Sequence, residues 1–265
     1  MAGLRTELVG QGRPRFAFLH GLFGRGRNWS TVAAELATQG YPAVLFDLPN
    51  HARSPWTESF SYRQMADAVG DELDLRLGSA ASIIVVGHSM GGKVAMLLAL
   101  TRPALVDGLA VIDIAPANSA GADDFEALAT ALLAVDLSGV RSRSDVEAAL
   151  AGQIPDAGTR QFLMQNLRAR PRWHWQANLQ LLRDSLAAVE AWPDPGQVSY
   201  PGPVRWIRGE RSRYVQPEHL PAMQALFPAV ELRTVAGAGH WVHADDPEAV
   251  VSELLELAGQ VDAAR

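Results

Sequence analysis

Ser82-Ile83-Ile84-Val85-Val86-Gly87-His88-Ser89-Met90-Gly91-Gly92-Lys93-Val94-Ala95-Met96 decides how the rest of the chain is read. Its opening, Ser82 to Val86, is a short apolar and β-branched run of the kind that suits a strand buried on both faces. From Met90 to Leu100 the spacing turns helical, and Pro103 ends the helix. Between the two stands G-x-S-x-G at a strand-to-helix junction. A serine there sits on a turn so tight that its backbone is strained, and the glycines two residues to either side let neighbouring chain approach without a Cβ clash. The hydroxyl of Ser89 is thereby lifted above the sheet as a nucleophile. A Gly-rich turn with an incidental serine is the competing account, and the strand before and helix after disfavour it.

On either side of this junction, Arg15 to Leu19, Ala43 to Phe46 and Leu109 to Ile114 read as further strands, bounded by Gly, Pro, Asp or Asn. Trp29 to Thr38 and Ser61 to Leu77 carry helical spacing between them, with Ser61 and Gln64 forming a capping box. Alternation of this kind signals parallel βαβ units. From Pro116 to about Val198 the pattern changes to helices without a strand candidate: Asp123 to Val135, Ser144 to Ala151, Thr159 to Asn166 and Trp173 to Val189. Strands resume at Val204 to Ile207 and Val230 to Val235, and Asp246-Pro247 opens a last helix. The expectation is a core domain of residues 1–115 and 199–265, with a helical cap inserted at 116–198.

Composition narrows the function. The chain has 265 residues, 48% of them hydrophobic, and a formal net charge of -6, which argues against phosphate backbones and anionic membrane surfaces as partners. With no cysteine, disulfides, thiolate catalysis and Cys-ligated zinc are excluded. No apolar run approaches the roughly 20 residues of a spanning helix, and Met1 to Gln11 has no apolar leader core. A cytoplasmic enzyme acting on a small molecule, without nucleic acid or membrane insertion, is the reading.

Three further stretches carry chemistry. His20-Gly21-Leu22-Phe23-Gly24 follows the first strong strand and matches a loop whose backbone N–H groups, with that of Met90, form an oxyanion hole; Leu22 is the better donor there, Phe23 the alternative. His20 itself is structural on this reading. Near the C-terminus Ala236-Gly237-Ala238-Gly239-His240-Trp241 places His240 on a Gly-rich loop after a strand, where a general base belongs, with His243 as competitor. The acid that orients the base should lie between the serine and the histidine, at a strand end. Asp113, in Val111-Ile112-Asp113-Ile114-Ala115-Pro116, is hard to explain in so apolar a place unless paired. Glu210 also qualifies by position, but Arg208 and Arg211 flank it and a surface ion pair accounts for it.

Together with Asp47-Leu48-Pro49-Asn50-His51 and Gly239-His240-Trp241-Val242-His243, these motifs make the chain resemble the α/β-hydrolase superfamily over nearly its whole length. Within it the likeness is to small bacterial and mitochondrial esterases that act on acyl esters and acyl-CoA thioesters. The resemblance implies a mostly parallel central sheet flanked by helices, a catalytic triad of Ser89, Asp113 and His240, an oxyanion hole at Leu22 and Met90, and no metal or organic cofactor. Many relatives carry the acid where this chain has Ser212, which cannot ionise, and this departure favours Asp113. Ala52 stands where relatives commonly have Gly. Phe23, Trp173, Trp175 and Trp192 are candidates to line an acyl pocket, against ordinary helix packing for the tryptophans. A carbon-carbon hydrolase or lyase using Arg168, Arg170 and Arg172 for an anionic substrate is one rival; a binding protein that turns over slowly is another. A dehalogenase or epoxide hydrolase is excluded, because those need a carboxylate in place of Ser89.

Overall fold

The computed structural model describes residues 3–78, 82–119 and 122–264. Strands β1 (Thr6–Val9), β2 (Phe16–Leu19), β3 (Ala43–Phe46), β4 (Ile83–His88) and β5 (Val106–Ile112) occupy the first part of the chain. A two-residue pair, β6 (Leu167–Arg168) and β7 (His174–Trp175), comes next, followed by β8 (Val204–Gly209) and β9 (Val230–Val235). All but β6 and β7 join one seven-stranded sheet in the order β1-β3-β2-β4-β5-β8-β9. Only β1 runs antiparallel to its neighbour; every other pairing in that sheet is parallel.

The period-2 rule explains why these runs are strands. In β2, Phe16 and Phe18 face one hydrophobic cluster while Ala17 and Leu19 face the other, and β4 divides Ile84 and Val86 from Ile83 and Val85 in the same way. Both faces are covered. Helices α2 (Tyr62–Leu77) and α3 (Met90–Thr101) pack on one side, α1 (Ser30–Thr38) and α11 (Pro247–Ala263) on the other. Ser61 caps α2 by accepting the Gln64 amide at 3.3 Å, and Asp246 caps α11 by accepting that of Ala249 at 2.9 Å.

Register brings the functional ends level. Leu19 pairs with Phe46 and Gly87, His88 with Ile112, Ile112 with Ile207, and Gly209 with Val235. The loops after β2, β4, β5, β8 and β9 therefore emerge at one edge, the carboxyl ends of the strands, where open α/β sheets bind ligands.

Between β5 and β8 the chain forms α4 (Ala122–Leu133), α5 (Arg143–Ala151), α6 (Ala157–Met164), α7 (Leu179–Asp184) and α8 (Leu186–Glu190). This is the helical insertion, and it differs from expectation in one place. Trp173 to Val189 is not a single helix: His174 and Trp175 pair with Arg168 and Leu167, and α7 starts afresh where Asn178 accepts the Leu181 amide at 3.4 Å. Helix α9 (Leu220–Leu226) precedes β9, and the short α10 (Val242–Asp245) follows it.

Candidate active site

Ser89 sits between β4 and α3 with φ 50° and ψ -118°, a left-handed backbone that costs a non-glycine residue about 1–3 kcal/mol. The flanking glycines hold it there. A Cβ on Gly87 would lie 2.2 Å from the Gly91 carbonyl oxygen, and one on Gly91 would lie 2.5 Å from the carbonyl oxygens of both Leu19 and His20. The turn is thus packed main chain to main chain against the end of β2. Met90 opens α3, so its amide has no acceptor within the helix and points, with the positive end of the helix dipole, at the space around Ser89.

Asp113 lies just beyond β5, fully buried and itself left-handed at φ 52°. Its Oδ2 accepts from His240 Nδ1 at 2.8 Å and from the Ser212 hydroxyl, and its Oδ1 accepts the Gly209 amide at 3.1 Å. The structure therefore pairs His240 with Asp113 and not with Glu210. Glu210 is exposed, accepts the Gly237 amide at 2.8 Å, and so braces the loop that carries His240; the ion pair expected with Arg208 or Arg211 does not form among the described residues. His240 is held from two more sides. The Tyr214 ring lies 4.1 Å from its own at 30°, and His88, adjacent to Ser89, donates from Nε2 to the His240 carbonyl at 2.8 Å.

The remaining histidines are structural. His20 donates from Nδ1 to the Gly21 carbonyl and accepts the Leu48 amide at Nε2, and burial pushes it down to about 4. His51 accepts the Phe23 amide at 3.2 Å and is pushed by burial, with His20 nearby, down to about 3. That bond commits the Phe23 amide, leaving Leu22 as the donor available from this loop. His243 stacks on Trp29 at 4.3 Å, and burial pushes it to about 3.

Residues 16–253 match the Alpha/beta hydrolase family. The chain belongs to that family. It is 37% identical over 243 residues to sn-1-specific diacylglycerol lipase ABHD11 of Mus musculus, spanning 89% of this chain and 78% of that protein. It is 32% identical over 233 residues to Esterase YbfF of Escherichia coli (strain K12), spanning 88% of each. A solved structure, a marine microorganism esterase, superimposes with a TM-score of 0.91 at 29% identity, covering 96% of this chain and 99% of that one.

In this hydrolase, Ser89 borders a small cavity of about 20 Å³. Leu22, Met90 and Ile114 supply its core-side wall, Phe125, Leu186 and Val189 come from the insertion, and Tyr62, Lys93, Glu190 and Tyr214 give it polar edges. Phe23, Trp173, Trp175 and Trp192 do not line it. Phe23 is buried behind the wall with its ring 6.2 Å from that of Phe125. Trp173 and Trp175 face a separate surface groove beside Trp56, where Trp175 donates to the Leu132 carbonyl at 3.1 Å, and Trp192 packs against the main hydrophobic cluster. Arg168, Arg170 and Arg172 are likewise absent from the walls of the Ser89 cavity, which removes the motive for an anion-holding lyase site there.

Sequence reasoning missed Lys93, Tyr62 and Tyr214. Lys93 was legible in spacing, four residues and so one helical turn beyond Ser89. It is almost fully buried, and its Nζ donates to the carbonyls of Val189, Glu190 and Ala191 at 3.1, 2.6 and 3.1 Å and to the Ser119 hydroxyl at 3.3 Å. Burial pushes it down to about 8.

Proposed function

We propose that the protein hydrolyses small to medium acyl esters or thioesters through an acyl-enzyme at Ser89, with residues 116–198 as the cap over that site. The observation that carries this reading is the Asp113–His240 pair at 2.8 Å, joined to the strained Ser89 elbow through the neighbouring His88, which donates to the His240 carbonyl. Ser89 Oγ bonds to the acyl carbon as its proton passes to His240 Nε2. The leaving alcohol or thiol departs with that proton, and water then releases the acid by the same relay. Asp113 receives Nδ1–H, which fixes the ring tautomer so that Nε2 faces the nucleophile, and it steadies the imidazolium that forms. The Leu22 and Met90 amides bind the oxyanion, each worth about 3 kcal/mol in reactions of this kind. Phe125, Leu186 and Val189 line the cavity beside Ser89 and offer an apolar surface to an acyl group. The lipase and esterase names of the relatives agree with ester chemistry.

The test is hydrolysis of p-nitrophenyl esters from acetate to palmitate, with Ser89→Ala alongside and acyl-CoA and a β-diketone as further substrates. Fast release that vanishes in Ser89→Ala and peaks at short or medium chains is expected. Release that survives Ser89→Ala, or cleavage of the β-diketone alone, refutes the proposal.

A further inference from the structure

A groove of about 600 Å³ lies at the β1 edge of the sheet and shares no wall with the Ser89 cavity. Arg5, Arg25, Arg27, Arg53, Arg168 and Arg170 all line it. Two carboxylates, Glu7 and Asp47, also line it and offset part of that charge. Glu7 accepts from Nε and one Nη of Arg27, at 2.7 and 3.0 Å, while Asp47 accepts the backbone amides of Gly26 and Arg53 at 2.8 and 3.2 Å. Among the described residues no other groove arginine is ion-paired. The Arg25 Nε is buried without a hydrogen-bond partner. Arg168 is held below its ordinary value by burial and then by the charges of Arg25, Arg143 and Arg53, with Asp47 acting in the opposite sense.

Such crowding is anomalous on a chain of net charge -6. Guanidinium groups cannot shed their protons, and their mutual repulsion costs stability unless an anion balances it. Their planar forks match phosphate oxygens in paired hydrogen bonds. A single carboxylate would balance one charge and leave the others facing each other. The surface is concave, which suits a compact ligand better than a flat bilayer, and it draws arginines from both the core and the insertion. We propose that this groove binds a soluble ligand carrying two or more phosphates, gripped between core and insertion. It stands apart from the ester chemistry at Ser89 and does not depend on it.

Isothermal titration with inorganic diphosphate, at low and at high ionic strength, tests the assignment on the full chain. Inorganic phosphate and phosphatidic-acid vesicles serve as separate arms. The variants are Arg53→Gln with Arg170→Gln, both exposed and unpaired, and Arg63→Gln as a remote control. Saturable diphosphate binding that outcompetes phosphate, and that weakens at least about tenfold in the double variant but not in the control, is expected. Hydrolysis of p-nitrophenyl acetate should be the same in all three proteins, which shows that the variants fold. No diphosphate binding overturns the proposal, as does binding that the double variant retains. Binding to vesicles without binding to free diphosphate overturns it as well, in favour of a membrane surface.

Discussion

At the scale of single residues, the acid assignment turns on which carboxylate meets the imidazole. Asp113 does, at 2.8 Å, and Glu210 meets a backbone amide of the neighbouring loop. Asp113→Asn is therefore expected to lose at least about a thousandfold in kcat with substrate affinity little changed, whereas Glu210→Gln stays within about tenfold of the parent; steady-state kinetics on p-nitrophenyl acetate decide the ranking. Ser212 adds a second test, because its hydroxyl donates to the same Asp113 oxygen that receives His240. A carboxylate built there lies within reach of the ring, so Ser212→Asp should restore at least about tenfold of the activity lost in Asp113→Ser. In the parent background the same change crowds two carboxylates, and activity should fall. The pairing of Asp113 could be anticipated from the chain because a charge at the end of an apolar strand has few explanations. The Ser212 contact could not, since it joins residues 99 positions apart across two strand ends. Ala52 is a residue-scale cost of another kind: it holds φ 46°, and Ala52→Gly should raise unfolding free energy by about 1 kcal/mol in urea titration.

Among the elements, the buried parallel strands were the legible part, because a run covered on both faces is apolar throughout. β1 was not legible: Thr6-Glu7-Leu8-Val9 is half exposed on the sheet edge and too short to show alternation. Nor was the β6–β7 pair, since Trp173-His174-Trp175 fits a helical window as well as a strand and only pairing with Leu167 and Arg168 decides it. That ambiguity also misdirected the tryptophans, which a helix facing inward would have put at the site. What the spacing hid at Lys93 is a tether. Its ammonium gathers Ser119, before α4, and the three carbonyls at the end of α8, so both roots of the insertion converge on α3. Lys93→Met strips the ammonium from all three carbonyls; Tyr62 Oη still donates to Val189 and the Ser119 amide to Glu190, so the loss falls mainly on Ala191 and costs about 1–3 kcal/mol of local stability. Limited proteolysis should then cut within residues 122–190 about tenfold faster or more, while cleavage of the core is unchanged.

Across the whole molecule, four histidines are buried neutral: His20, His51, His88 and His243. Burial holds His20 at about 4, His51 and His243 at about 3, and His88 well below 6.5. In the unfolded chain each binds a proton near pH 6.5, so unfolding takes up protons throughout the interval below it. Their contribution to stability is complete above about pH 6.5 and is lost as the pH falls towards 4. Urea unfolding at pH 7 and pH 5 should show a drop of about 2 kcal/mol for each of His20, His51 and His243, and His243→Phe, which keeps a ring on Trp29, should shrink the drop by one share. From sequence, His20 reads as structural and His243 as a competitor to His240, but the burial of all four is a property of the assembled core.

The main-chain contact between the Ser89 turn and the end of β2 has an evolutionary consequence. Nucleophile and proposed oxyanion loop are registered by carbonyl oxygens and glycines, with the His88 ring packed against Gly21. The outer wall of the cavity, by contrast, consists of the replaceable side chains of Phe125, Leu186 and Val189. Mutational libraries confined to those positions should therefore yield new acyl preferences at little loss of rate, a division of labour that makes the molecule a ready starting point for directed evolution.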